Sequence, residues 1–183
     1  MSQTIYLSGP ISGCTYKEAT EWRQEAARSL VPFRCLDPMR GKTEAMLIGV
    51  LDTDLSWADH ILSPLTRPRN FYNRDFNDIK QSNLMLMNLQ GAKKVSIGSM
   101  VEVGWASALG IPIVAVLDFT KSNHDFIYQA SVDFFETLDK AVEFIKDFLP
   151  GYSDVNYSNP WMDRLDQARA DQARGFGVVG GLF

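Results

Sequence analysis

The sequence predicts an α/β domain in which a parallel β-sheet is flanked by helices. Three observations lead there. Short apolar runs rich in β-formers, such as "TIYLS" and "IPIVAVLDF", read as buried strands. Stretches of helical spacing fall between these runs, and strands alternating with helices indicate a parallel sheet covered on both faces. With 183 residues, 45% apolar and 22% charged, the chain can bury one core well but is too short for two comfortable domains.

In chain order, "TIYLS" (4–8) is the first strand and the turn-rich "GPISG" follows it. "TYKEATEWRQEAARSL" (15–30) is a helix with Ala19, Trp22, Ala26 and Leu30 on one face. "FRCL" (33–36) is a second strand, ended by "DPMRGK". Residues 44–59 have the spacing of a helix with Met46 and Val50 inward, and "SPLTRPRNFYNR" (63–74), with two prolines, reads as a loop. "DFNDIKQSNLMLMNL" (75–89) is a helix delivering the strand "NLMLMNL". "SMVEVGWASALG" is a helix ending at Gly110, "IPIVAVLDF" a strand and "SVDFF" a last strand. "TLDKAVEFIKDFL" (137–149) is a closing helix stopped by Pro150 and Gly151. The expected organisation is a domain over 1–150 and an extension over 151–183. That extension, with Trp161 and Leu165 on one side of a potential helix and the apolar "GFGVVGGLF" at its end, is either a frayed terminus or an arm laid on a neighbouring subunit.

The formal charge of −4 argues against a nucleic-acid binder, which would carry a basic surplus. No apolar run approaches the roughly 20 residues that span a bilayer, and the start does not have the form of a signal peptide. Cys14 and Cys35 are too few for a disulfide framework or a zinc site, so a cytoplasmic protein without metal or cofactor is expected.

In open parallel sheets ligands gather outside the carboxyl ends of the strands, where residues 9–16, 37–43, 88–99 and 118–125 should meet. Gly9, Ser12 and Gly13 lie in the first of these, where closely spaced glycines let backbone approach a ligand or simply make a tight turn. Glu102 stands among apolar neighbours in a small-residue helix. Ser99-x-x-Glu102 fits a capping box, the stronger reading on local pattern, whereas facing the crevice the same acid could attack a ligand. Asp75 and Asp78, three apart, either cap their helix or supply a second carboxylate. Asn123 and His124 follow the last long strand; Asp37 in "LDP" reads as a turn former.

Together, "IYLSGPISG", "RDFNDIKQSNLMLMNL" and "SIGSMVEVGWASALGIPIVAVL" resemble the nucleoside 2-deoxyribosyltransferase family over roughly residues 4–145. The paired patterns D-x-N-x-I-K and G-x-x-x-E-x-G-x-A carry most of the resemblance, and residues 150–183 find no counterpart. The resemblance implies a Rossmann-like (flavodoxin-like) sheet, a catalytic glutamate at Glu102, a base-side aspartate at Asp75 and a substrate-contacting tyrosine at Tyr6. It also implies a homodimer or larger homo-oligomer whose sites are completed across the interface, with Asn123, His124 or Ser131 as candidates to reach the neighbour. Arg40 and Met39 fall near the base-recognition position.

Six residues before the glutamate, transferases acting on free nucleosides commonly carry an aspartate; here it is Ser96. This form looks more like the nucleoside 5′-monophosphate N-glycosidases, in which a serine contacts the phosphate. A hydroxyl and backbone N–H groups, here at Ser96 and Gly98, can donate to a dianion that a carboxylate would repel. The expected activity is cleavage of the N-glycosidic bond of a nucleoside or its 5′-monophosphate through a glycosyl–Glu102 intermediate, with hydrolysis favoured. Base exchange on 2-deoxyribose is the alternative within the family, and a non-catalytic nucleotide sensor the alternative outside it.

Overall fold

The computed structural model describes residues 3–42, 68–92, 96–120 and 125–154, so the expected helix over 44–59 and the extension beyond 154 lie outside the described residues. Among the described residues, five strands, β1 (Thr4–Ser8), β2 (Arg34–Leu36), β3 (Leu84–Asn88), β4 (Ile113–Val116) and β5 (Asp133–Phe135), alternate with helices. The helices are α1 (Tyr16–Ser29), α2 (Pro68–Lys80), α3 (Ile97–Ala108), α4 (Asp125–Ala130) and α5 (Leu138–Asp154).

All four strand pairings among the described residues are parallel, as the sequence predicts, and the order is β2-β1-β3-β4-β5, the flavodoxin-like winding that the family resemblance implies. Successive side chains of a strand face opposite sides, and the core divides accordingly. Ile5, Leu7, Leu86 and Val114 pack with Ala26 of α1 and with Ala141, Ile145 and Leu149 of α5. Tyr6, Met85, Met87 and Ala115 pack with Ile79 of α2, Val103 and Ala106 of α3, and Ile127 of α4. Tyr6 and Ser8 therefore share the α2–α3 side of β1. Because β1 is paired with β2 on one edge and β3 on the other, the winding reverses beside it, and in open sheets of this kind ligands gather at the carboxyl ends of the strands there.

Local chemistry explains the helix ends. Thr15 caps α1 in a complete capping box: its hydroxyl accepts from Glu18 N at 3.2 Å while Thr15 N donates to Glu18 Oε2 at 2.7 Å. Helix α2 begins at Pro68, so residues 68–74 are helical and not the loop expected over 63–74. Proline is well placed at a first helical position, where its missing N–H would be unsatisfied in any case. Tyr72 and Phe76, one turn apart on α2, both set their rings edge-on to Trp105 of α3, with centroids 4.9 and 5.3 Å away. Helix α5 runs on through Pro150 and Gly151, which were expected to stop it. Its buried stripe of Ala141, Val142, Ile145 and Leu149 is intact up to that point, and one lost backbone bond does not undo it. The short α4 was not expected from sequence. The chain divides into two units, Met1–Leu149 and Pro150–Phe183.

Two glycines after β1 answer different needs. Gly13 has a φ of 80°, a left-handed conformation that side chains resist. Gly9 has no room for a side chain: a Cβ there would stand 2.7 Å from the Asn88 carbonyl oxygen and 2.8 Å from the Trp22 ring. Its close approach is thus to β3 and α1. Because the Asn88 contact is backbone, Gly9→Ala is expected to lower stability by about 1–3 kcal/mol in a denaturant titration, with m unchanged. An unshifted midpoint would mean that the two strand ends are not in contact.

Candidate active site

Helix α3 follows the carboxyl end of β3. Its N-cap is Ser96, whose Oγ accepts from Ser99 N at 3.3 Å. The capping box of Ser99 with Glu102 is therefore absent: with the cap three residues earlier, Glu102 lies past the first turn and has no free N–H to meet. Its carboxylate points to β1 instead. Tyr6 Oη donates to Oε1 at 2.8 Å and Ser8 Oγ donates to Oε2 at 2.6 Å. Burial pushes the Glu102 carboxyl above the usual carboxylate range; the Ser8 and Tyr6 bonds and Arg23 oppose the shift, while Asp75 adds to it. The Tyr6 phenol is likewise raised by burial, then by Glu102 and Asp75, and stays protonated as a donor.

Asp75 reaches the same region from α2 and is 7% exposed. Arg74 Nε and Nη2 both hold its Oδ1, at 3.0 and 2.9 Å. Arg74 is itself fixed by the carbonyls of Pro38 at 2.7 Å and Arg40 at 3.3 Å. Burial raises the Asp75 carboxyl, with Arg74 and Lys42 opposing and Asp78 adding. Two carboxyls that burial raises thus come near one another, Asp75 raising Glu102 further. Since α2 begins at Pro68, neither Asp75 nor Asp78 caps it. Asp78 pairs with Arg40, whose Nη1 also donates to the Asp37 carbonyl at 3.1 Å. Asp37 makes the expected turn, accepting from Met39 N at 2.7 Å.

Other residues singled out in the sequence lie apart from this pair or make local contacts. Ser12 and Gly13 line a cavity of about 570 Å³ with Glu18, Glu21, Trp22 and Glu25, to which neither Glu102 nor Asp75 contributes. Three glutamates make it a poor phosphate site. Gly98 is the second residue of α3, and Met39 packs with Ala19. Ser131 Oγ donates to the Ile127 carbonyl at 2.7 Å. Asn123 and His124 lie outside the described residues. Among the described residues no His, Cys, Asp and Glu side chains group as a metal site, and no helix is long and apolar enough to cross a membrane.

Two members of the site escaped the sequence reading. Ser8 was legible in principle, since strand alternation places it on the side of Tyr6. Arg23 was not: it is a fully buried cation on α1. Its Nη2 donates to the Gly9 carbonyl at 2.7 Å, its Nε to the Leu7 carbonyl at 3.4 Å and its Nη1 to the Ala19 carbonyl. Nε also pairs with Asp37 at 3.6 Å, and the guanidinium lies 4.4 Å from the Trp22 ring centroid. Burial lowers its pKa, while Asp37 and then Glu102 raise it.

A family model described as nucleoside 2-deoxyribosyltransferase matches residues 5–142. No curated protein shows a significant match in sequence. Among solved structures, the 2-deoxyribosyltransferase of Bacillus psychrosaccharolyticus is similar at TM-score 0.52 and 16% identity, covering 76% of this chain and 90% of that one. A conserved protein of Enterococcus faecalis V583 is similar at TM-score 0.57 and 16% identity, covering 80% and 99%. The CMP N-glycosidase BcmB of Clostridium botulinum aligns at TM-score 0.48 and 15% identity, covering 80% and 100%. At such identities the likeness is one of fold, and it is the family match that spans β1 with Tyr6, α2 with Asp75 and α3 with Glu102. The chain belongs to the nucleoside 2-deoxyribosyltransferase family, enzymes that act on the N-glycosidic bond.

Proposed function

We propose that this protein cleaves the N-glycosidic bond of a (deoxy)nucleoside 5′-monophosphate by double displacement on Glu102. The observation that carries the reading is the half-buried Glu102 carboxylate, each oxygen held by a hydroxyl of β1. A carboxylate oxygen attacks the anomeric carbon, the bond to the base breaks, and its electron pair leaves with the base nitrogen. Asp75 protonates the departing base; its raised carboxyl remains an acid further up the pH scale than an ordinary aspartate. Water then attacks the sugar carbon and gives a proton to Asp75, and the ester electron pair returns to Glu102. The products are free base and sugar 5-phosphate.

Ser96 supports the phosphate. Its oxygen accepts from Ser99 N, which leaves its own O–H free to donate at the N-terminus of a 12-residue helix. The family's own description favours a second reading, in which another base replaces water as acceptor. Incubation with a deoxynucleoside, its 5′-monophosphate and an added free base separates the two: a swapped nucleoside means transfer, free base alone means hydrolysis.

Glu102→Ala is expected to lower turnover at least about 1,000-fold while the fold persists by circular dichroism. Acid-quenched wild type should carry a pentose or pentose-phosphate mass on Glu102. Full turnover of the variant would exclude the covalent route through Glu102.

Activity should rise with pH as Glu102 ionises. The Tyr6 bond favours the ionised form, so Tyr6→Phe is expected to move this acidic limb to higher pH. A limb at the wild-type position would mean that another group titrates there. Ser96→Asp keeps a good N-cap but places a carboxylate at the phosphate position. It should lower kcat/KM for the monophosphate relative to the nucleoside by about tenfold or more. An unchanged ratio would place the phosphate elsewhere.

A further inference from the structure

We infer that Ser8 is the positioning residue for the second half of the reaction, its hydroxyl holding the Glu102 oxygen on which negative charge reappears as the sugar ester breaks. The inference rests on the double displacement proposed above and goes beyond it, because it assigns to one side chain a role in one step only.

Ser8 is fully buried and its Oγ stands 2.6 Å from Glu102 Oε2, the shorter of the two bonds to this carboxylate. It is the last residue of β1, in register with Met87 of β3. The carbonyls on either side of it, Leu7 and Gly9, both accept from the buried Arg23. The donor is therefore fixed on a rigid strand end and costs little reorganisation when charge develops. Tyr6 on β1, Asp75 on α2 and Arg23 on α1 are the other groups that act electrostatically on Glu102.

A donor aimed at a carboxylate affects the two displacements oppositely. In the first, Glu102 begins as an anion and ends as a neutral ester, so the Ser8 bond weakens along the way and does not accelerate the step. In the second, water attacks the anomeric carbon, the carbon–oxygen ester bond breaks, its electron pair returns to the carboxylate, and the water proton passes to Asp75. Here the Ser8 bond strengthens toward the transition state, which is the condition for catalysis. A residue that only packs would not distinguish the steps.

The test compares wild type, Ser8→Ala and Ser8→Cys. The last keeps the volume while offering a weak donor, and is read alone if the alanine variant does not fold. The substrates are the four common 2′-deoxynucleosides and their 5′-monophosphates, used at a pH on the plateau of activity. Expected are a kcat at least about tenfold lower, a KM lowered with it, and a several-fold larger fraction of protein carrying the sugar mass at steady state, Ser8→Cys lying between the others. A fall in kcat without accumulation of the adduct, or no change at all, overturns the role of Ser8. If Glu102→Ala still turns over, the covalent reading itself has failed, which is a different and recognisable result.

Discussion

A carboxylate partly withdrawn from water has to be met by donors, and the carboxyl end of β1 meets that demand. Glu102 receives a hydroxyl on each oxygen, both from β1 and two residues apart. Bonds to an ionised acceptor are worth about 1.5–3 kcal/mol each, whereas stripping an ion of water costs several kcal/mol. Burial remains the leading influence on Glu102, opposed by these two bonds, and its carboxyl sits above the ordinary range. An acid so placed is costly in stability terms.

Behind this pair lies a ring of compensated charges that joins three elements. Arg23 of α1 meets Asp37 after β2; Arg40 from the same loop meets Asp78 of α2; Arg74 of α2 meets Asp75 beside it. Three of Arg23's N–H donors go to backbone carbonyls, so its charge locks the turn after β1 as well as balancing an acid. Arg74 holds a single oxygen of Asp75 with two of its nitrogens, which orients that carboxyl. The same fork closes α2 onto the segment after β2 through the Pro38 and Arg40 carbonyls.

The parts that could be read along the chain are those whose physics is local. β1 matches its expected span of 4–8, and α1 starts after the Thr15 cap with Glu18 in place. The parallel sheet follows from strands and helices taking turns. Where local pattern misled, a partner distant in sequence decided the outcome. Prolines suggested a loop through residue 74, but Tyr72 and Phe76 find Trp105 and the helix extends back to Pro68. Ser99-x-x-Glu102 has the form of a capping box, yet Ser96 takes the cap and Glu102 turns to Tyr6.

From sequence alone came the order of elements, because periodicity records which stretches are strand and which helix, while the winding and the shortlist of Tyr6, Asp75, Ser96 and Glu102 came with the family resemblance that the motifs carry. Only the tertiary structure decided what each side chain answers to. Arg23 looks like any surface arginine on α1 until the carbonyls of Leu7 and Gly9 converge on it, and Ser8 looks like a strand end until α3 brings Glu102 to its hydroxyl. The energy of a buried charge depends on the dipoles and ions packed around it in space, and their arrangement is a property of the assembled sheet and helices rather than of neighbouring letters.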